Sequence, residues 1–292
     1  MLVTAGASEA IDLAFRALVD PGDTVAVAQP CYVSYTPGVT FSGGEVLDVP
    51  TRVEDEFALT PEALRAAGAE SADLLVYCYP NNPTGATMDR SELAEVAAFC
   101  REHDVDVLSD EIYADLTYEG EHVSIAELDG MRERTVVFNG FSKAYAMTGL
   151  RLGYAMAPEE VIAAMNRVHQ YTMLSAPTTA QQAGIEALRD CREDVEEMRS
   201  QYDRRRNFVL SRFEEMGIDC FEATGAFYVF PECPGDDAEA FAENLLEAES
   251  VAMVPGTAFG AGAEDHLRAS YATGLEELRE AMDRLERFVS SV

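Results

Sequence analysis

The chain has 292 residues, of which 48% are apolar, which is too apolar for a disordered chain despite 53 acidic against 21 basic residues. A formal charge of −32 repels phosphate backbones and anionic lipid surfaces, which argues against nucleic-acid and membrane partners. Six scattered cysteines with no CxxC pair, no apolar run of bilayer length and no leader-like start predict a cytoplasmic globular protein without disulfides or zinc.

Strand-like and helix-like stretches alternate from the N-terminus. "MLVT" leads into the helical "SEAIDLAFRALV", followed by "TVAVA", a turn-rich stretch, "EVLDV" and "PEALRAAGAE". Next come "DLLVYCYP", the amphipathic "DRSELAEVAAFCREH", the buried-looking "VDVLSD" and "TVVFN", separated by Gly, Pro, Asn or Asp turn signals. Alternation predicts an α/β fold, with the near-continuous apolar strands covered on both faces of the sheet.

After the helical "PEEVIAAMNRVHQ" and "TTAQQAGIEAL", the charged stretch from Asp190 to about Glu215 predicts one long, largely exposed helix joining two domains. The expected division is a large domain over 1–200 and a small C-terminal α/β domain over 201–292, the latter carrying "GAFYVF", "DDAEAFAENLLEAE", "VAMVP", "LRASYA" and "LEELREAMDRLERF".

Open α/β sheets place their sites at strand ends followed by polar turns. Three such ends stand out: "YPNNPTG" with Asn82, "SDEIY" with Asp110 and Tyr113, and "NGFSK" with Ser142 and Lys143. Lys143 is the single lysine; every other one of the 21 basic residues is arginine. Arginine stays charged, whereas a desolvated lysine can lose its proton and attack a carbonyl, so a lysine kept here points to Schiff-base chemistry. No GxxxxGK[ST] loop is present, and "GAGAED" lacks the third glycine of a dinucleotide fingerprint. His103, His122, His169 and His266 lack ligand spacing and read as structural or surface residues, so no metal is expected.

"VTAGASEAI", "PCYVSY", "YPNNPTG", "SDEIY", "SKAYAMTGLRLGY", "GAFY", "VPGTAFG" and "LRASYA" follow one another through the whole chain. In this order they resemble the class I/II pyridoxal-phosphate-dependent aminotransferases of fold type I, the aspartate-aminotransferase-like group. The resemblance implies a fold-type I transferase, with a mainly parallel mixed sheet in the large domain, that moves an amino group between an α-amino acid and a 2-oxo acid.

It also implies roles. Lys143 would form the Schiff base with the cofactor aldehyde and shuttle a proton, its pKa lowered by burial and nearby positive charge. Asp110 would face the pyridine nitrogen, while Tyr113 and Asn82 would donate to the ring's phenolic oxygen. Tyr32 would stack on the ring, and Gly6, Ala7, Ser8, Ser142 and Arg151 would hold the phosphate. Arg268, with Asn82 beside it, would bind the substrate carboxylate.

Two positions depart from the family pattern: Gly140 stands where many relatives have a phosphate-contacting serine, and Leu150 where an aromatic is common beside the cofactor pocket. Ser8 stands where some dicarboxylate-preferring relatives have lysine, leaving the amino donor open. A lyase or decarboxylase on the same scaffold, and a non-catalytic cofactor-binding fragment, remain as alternatives. A homodimer is implied by the resemblance, and a carboxylate-dense, lysine-poor surface predicts a salt-loaded, halophilic source. Because relatives carry a long segment ahead of the part matching "VTAGASEAI", the expectation is that the N-terminal portion of the large domain lies upstream of Met1.

Overall fold

The computed structural model describes residues 1–291. β1 (Leu2–Thr4) runs into α1 (Ala7–Leu18), whose stripe of Ala10, Ile11, Leu13, Ala14 and Phe15 is buried. β2 (Thr24–Gln29), α2 (Tyr35–Ser42) and β3 (Glu45–Pro50) follow. α3 (Pro61–Ala67) starts where the Thr60 hydroxyl accepts from the Ala63 amide, with proline at the first helical position. β4 (Leu74–Cys78) is buried throughout. α4 (Arg90–His103) opens on a capping box, Asp89 accepting the Glu92 amide while Glu92 accepts the Asp89 amide. β5 (Asp106–Asp110), β6 (Thr135–Gly140), β7 (Gly153–Met156), α5 (Glu159–Thr172) and α6 (Thr178–Asp190) complete the first two-thirds.

The predicted charged helix is α7 (Arg192–Met216), 25 residues whose buried positions are only Val195, Arg206, Val209 and Phe213. Beyond it lie β8 (Tyr228–Val229), α8 (Ala238–Glu249), β9 (Val254–Pro255), β10 (Leu267–Ser270) and α9 (Leu275–Val289).

Seven strands form one sheet in the order β1-β7-β6-β5-β4-β2-β3. The pairs from β6 to β3 are parallel, and β7 runs antiparallel to both neighbours. This is the mainly parallel mixed sheet expected. The reversal at β7 has a local cause: the chain returns from β6 through residues 141–152 without a crossover helix of the kind that parallel neighbours need.

Side chains alternate across the sheet. Leu74, Val76 and Cys78 of β4 pack with α1 and α2 on one face, while Leu75 and Tyr77 pack with α3 and α4 on the other. A second, antiparallel sheet, β8-β10-β9, has its own apolar cluster with α7, α8 and α9, including Phe213, Phe241, Leu245, Leu278 and Phe288.

Candidate active site

β1, β4, β5 and β6 all end at one edge of the large sheet, so the segments after Thr4, Cys78, Asp110 and Gly140 converge there. That edge opens on a cavity of about 450 Å³. Ala7, Ser8, Tyr32, Asn82, Asp110, Tyr113, Ser142, Lys143, Arg151 and Arg268, drawn from segments far apart in sequence, line its wall. Gly6, the remaining residue singled out from the sequence, lies directly behind Arg151.

At that end the backbone is packed too tightly for side chains. A Cβ on Gly6, whose φ is +89°, would sit 2.4 Å from Nη2 of Arg151. A Cβ on Gly153 would sit 2.4 Å from the Ala7 nitrogen, and one on Gly140 2.9 Å from Cα of Gly153. With the backbone as it stands, a side chain at Gly140 would have to displace Gly153 and Leu152. Because Gly6 offers no side-chain cap, the first amides of α1, those of Ala7 and Ser8, stay available to an anion at the positive end of the helix.

The turn itself is pinned from behind. Glu9 accepts the Ala5 amide at 2.5 Å and pairs with the buried His169 of α5 at 2.7 Å. Arg151 adopts a left-handed backbone with φ 57° and donates from Nη1 to the Thr148 carbonyl at 3.0 Å, while the Thr148 hydroxyl donates to the Ser142 carbonyl at 2.7 Å. Leu150 is 43% exposed and lines a separate apolar groove with Tyr145 and Met147.

In the middle of the cavity Asp110 is buried. Its carboxylate accepts the Tyr35 hydroxyl at 2.6 Å and the Ile112 amide at 3.1 Å. Burial pushes its pKa up to about 6, against the downward pull of those two hydrogen bonds. Lys143 Nζ stands 5.3 Å from the ring centroids of Tyr113 and Phe227. Burial lowers its pKa, Arg268 and Arg151 adding to the effect and Asp110 opposing it.

At the far end, Arg268 Nη1 donates to Asn82 Oδ1 at 2.9 Å, and its guanidinium lies 4.6 Å from the Tyr228 ring centroid and 4.8 Å from that of Phe259. Its buried Nε has no partner. Among the described residues no group of three side chains could hold a metal ion, and no helix is long and apolar enough to cross a membrane.

Residues 1–285 match the family "Aminotransferase class I and II". The chain belongs to that family. The aminotransferase is 42% identical over 292 residues to aromatic-amino-acid aminotransferase 2 of Thermococcus litoralis and 43% identical over 292 residues to the aspartate aminotransferase of Pyrococcus abyssi. Each match covers 98% of this chain and 75% of the relative. The crystal structure of the aromatic aminotransferase from Pyrococcus horikoshii superposes with a TM-score of 0.96 at 43% identity, covering 99% of this chain and 79% of that one. The enzyme is therefore a pyridoxal-phosphate-dependent transaminase of fold type I, acting on an α-amino acid and a 2-oxo acid.

The residues present fit that cofactor. A buried carboxylate with no ion-pair partner among the described residues suits a protonated ring nitrogen, and glycine-exposed helix amides beside a guanidinium suit a phosphate. An amine whose charged form is disfavoured suits an aldehyde.

Sequence reasoning missed Tyr35, Thr148, Tyr228 and Phe259. Tyr35 stands in "PCYVSY" beside Tyr32, and Tyr228 and Phe259 stand in the quoted "GAFY" and "VPGTAFG"; no residue-level signal in those motifs says which side chain reaches the site.

Proposed function

We propose that Lys143 performs both the covalent attachment and the proton transfer, with Asp110, Tyr113, Asn82, Tyr32 and Arg268 arranged around it. Bound pyridoxal phosphate supplies an aldehyde for the amino group and a ring that accepts the electron pair left when the donor's α-proton departs. Lys143, poised toward its neutral form, takes that proton at Nζ and returns it on the acceptor side. Asp110 holds the proton on the ring nitrogen, and Tyr35 holds Asp110 in place. Because Asn82 Oδ1 is occupied by Arg268, its Nδ2 is left to donate to the phenolic oxygen together with the Tyr113 hydroxyl. Tyr32 stacks against the ring, the Ala7 and Ser8 amides, Ser142 and Arg151 bind the phosphate, and Arg268 binds the α-carboxylate with its planar fork.

The observation that carries this reading is that the single lysine, the buried Asp110 and Arg268 share one cavity. Replacing Lys143 by Ala is expected to abolish turnover, and substantial transamination by that variant without added amine would refute it.

The cavity wall includes Val33, with Val254 and Phe259 beside Arg268, which supports an amino donor with an aromatic or aliphatic side chain. A panel of donors with 2-oxoglutarate tests this, and aspartate as the fastest donor would overturn it. The division into a large unit over 1–200 and a small one over 201–292 is supported by the separate apolar cluster around α8 and α9. A homodimer is supported by the exposed Tyr171, Leu174 and Leu188, and sedimentation as a monomer would contradict it. A halophilic cytoplasm is supported by the charge of −32, and a biosynthetic role in amino-acid metabolism by the reaction itself.

A further inference from the structure

Tyr228 takes no part in the assignment above, yet it touches two residues that do. In β8 it pairs with Ser270 of β10, and Arg268, two residues from Ser270, projects on the same face of that sheet. Tyr228 is therefore the diagonal neighbour of Arg268, and its ring lies under the guanidinium at 4.6 Å, with Phe259 on the guanidinium at 4.8 Å. From the opposite direction Tyr113, three residues beyond the end of β5, meets Tyr228 edge-on, ring centroids 5.9 Å apart at 78°. Their hydroxyl oxygens are 3.1 Å apart.

We infer that Tyr228 is a positioning residue joining the two halves of the site: its ring orients Arg268 for the substrate carboxylate, and its hydroxyl donates to Tyr113. The inference rests on the roles proposed for Arg268 and Tyr113. Burial raises the pKa of both phenols, so both keep their protons and the pair has one donor and one acceptor. If the Tyr113 proton goes to the cofactor's phenolic oxygen, the Tyr113 oxygen accepts and Tyr228 must donate. A phenol that accepts a hydrogen bond is itself a stronger donor, so Tyr228 strengthens the hold of Tyr113 on that oxygen.

The other ionisable groups facing this pair are Arg268, Cys78 and Tyr32 around Tyr228, and Asp110, Cys78 and Lys143 around Tyr113. Phe259 brings an apolar ring to Arg268 and makes no contact with the hydroxyl pair, so the guanidinium can be perturbed there with the pair intact; KM is read with a donor of small side chain, which leaves the wall contact of Phe259 aside.

Three variants of the cofactor-loaded enzyme separate the two functions, read by KM for the amino donor and by the pH midpoint of the bound cofactor's visible absorbance. Tyr228→Phe keeps the ring and loses the hydroxyl. Its KM is expected to stay at the wild-type value, while the absorbance midpoint rises by a few tenths of a pH unit, because a weaker donor at the phenolic oxygen leaves that oxygen holding the linkage proton more tightly. Phe259→Leu is expected to raise KM roughly 3-fold through the lost guanidinium contact, with the midpoint unmoved. Tyr228→Leu is expected to do both, with KM rising roughly 3–10-fold. Should Tyr228→Leu fail to fold, the opposite signatures of the first two variants decide the matter.

A midpoint in Tyr228→Phe equal to that of wild type, or a KM rise in Tyr228→Phe as large as that of Phe259→Leu, would overturn the inference. Tyr113→Phe and Arg268→Ala report separately on the underlying assignment, through the absorbance midpoint and through KM. A midpoint that rises in Tyr113→Phe but is unmoved in Tyr228→Phe faults the positioning role alone.

Discussion

Replacing Asp110 by Asn in the cofactor-free protein is expected to stabilise the fold while it disables catalysis. Asp110 is 4% exposed and receives one hydroxyl and one amide hydrogen bond. Burial raises its pKa from 3.8 to about 6. A group whose pKa is higher in the folded state contributes stability in its protonated form; that contribution is complete below the unfolded value and is lost as pH rises through about 6. Above that pH the fold carries a buried negative charge at a cost of about 3 kcal/mol, roughly two pH units at about 1.4 kcal/mol each. Asparagine removes the charge but returns about 1 kcal/mol, because one acceptor for the Tyr35 hydroxyl becomes an amide nitrogen.

The net gain of about 2 kcal/mol corresponds to a melting temperature higher by roughly 3 °C for a chain of this size. Circular-dichroism melts of both cofactor-free proteins at about pH 8 and about pH 4.5 check this, the gap closing at the lower pH, where the native carboxyl is protonated. A variant less stable than wild type at the higher pH, or a gap that does not change with pH, would refute the reasoning.

Other consequences follow from the same geometry. Gly6→Ala places a methyl group against Arg151 at a left-handed backbone position, so the dissociation constant for pyridoxal phosphate, measured by fluorescence titration, is expected to rise by about tenfold or more. Tyr35→Phe removes a hydrogen bond that lowers the Asp110 pKa, so Asp110 protonates at higher pH and the acid limb of the kcat profile is expected to move upward. With a net charge of −32, the unfolding temperature is expected to climb with KCl, and equal stability in dilute buffer and molar KCl would contradict the halophilic reading.

Local signals carry much of this architecture. The apolar run of β4, the capping box at Asp89 and the charged face of α7 are written in residue order, and so are legible in the amino-acid sequence alone. The direction of β7 is not, because orientation depends on how the loop 141–152 returns and not on the apolar run "GYAM" itself. In the site, Lys143 stands out through composition, and Asp110 and Arg268 through motifs. Tyr35 and Tyr228 act through partners 75 and 115 residues away, Asp110 and Tyr113, and no local pattern encodes such a pairing. The same holds for Glu9 and His169, which meet behind the turn at Gly6 across 160 residues.

The central claim is that this site transfers an amino group through Lys143. The most direct test is a single half-reaction: the cofactor-loaded enzyme is mixed with an amino donor, no 2-oxo acid is added, and products are quantified per chain. The account predicts one equivalent of the donor's 2-oxo acid from the wild-type chain, with the amino group retained on the cofactor, and none from Lys143→Ala. Release of carbon dioxide or of an eliminated side chain in place of the 2-oxo acid, or the same yield from both proteins, would contradict it.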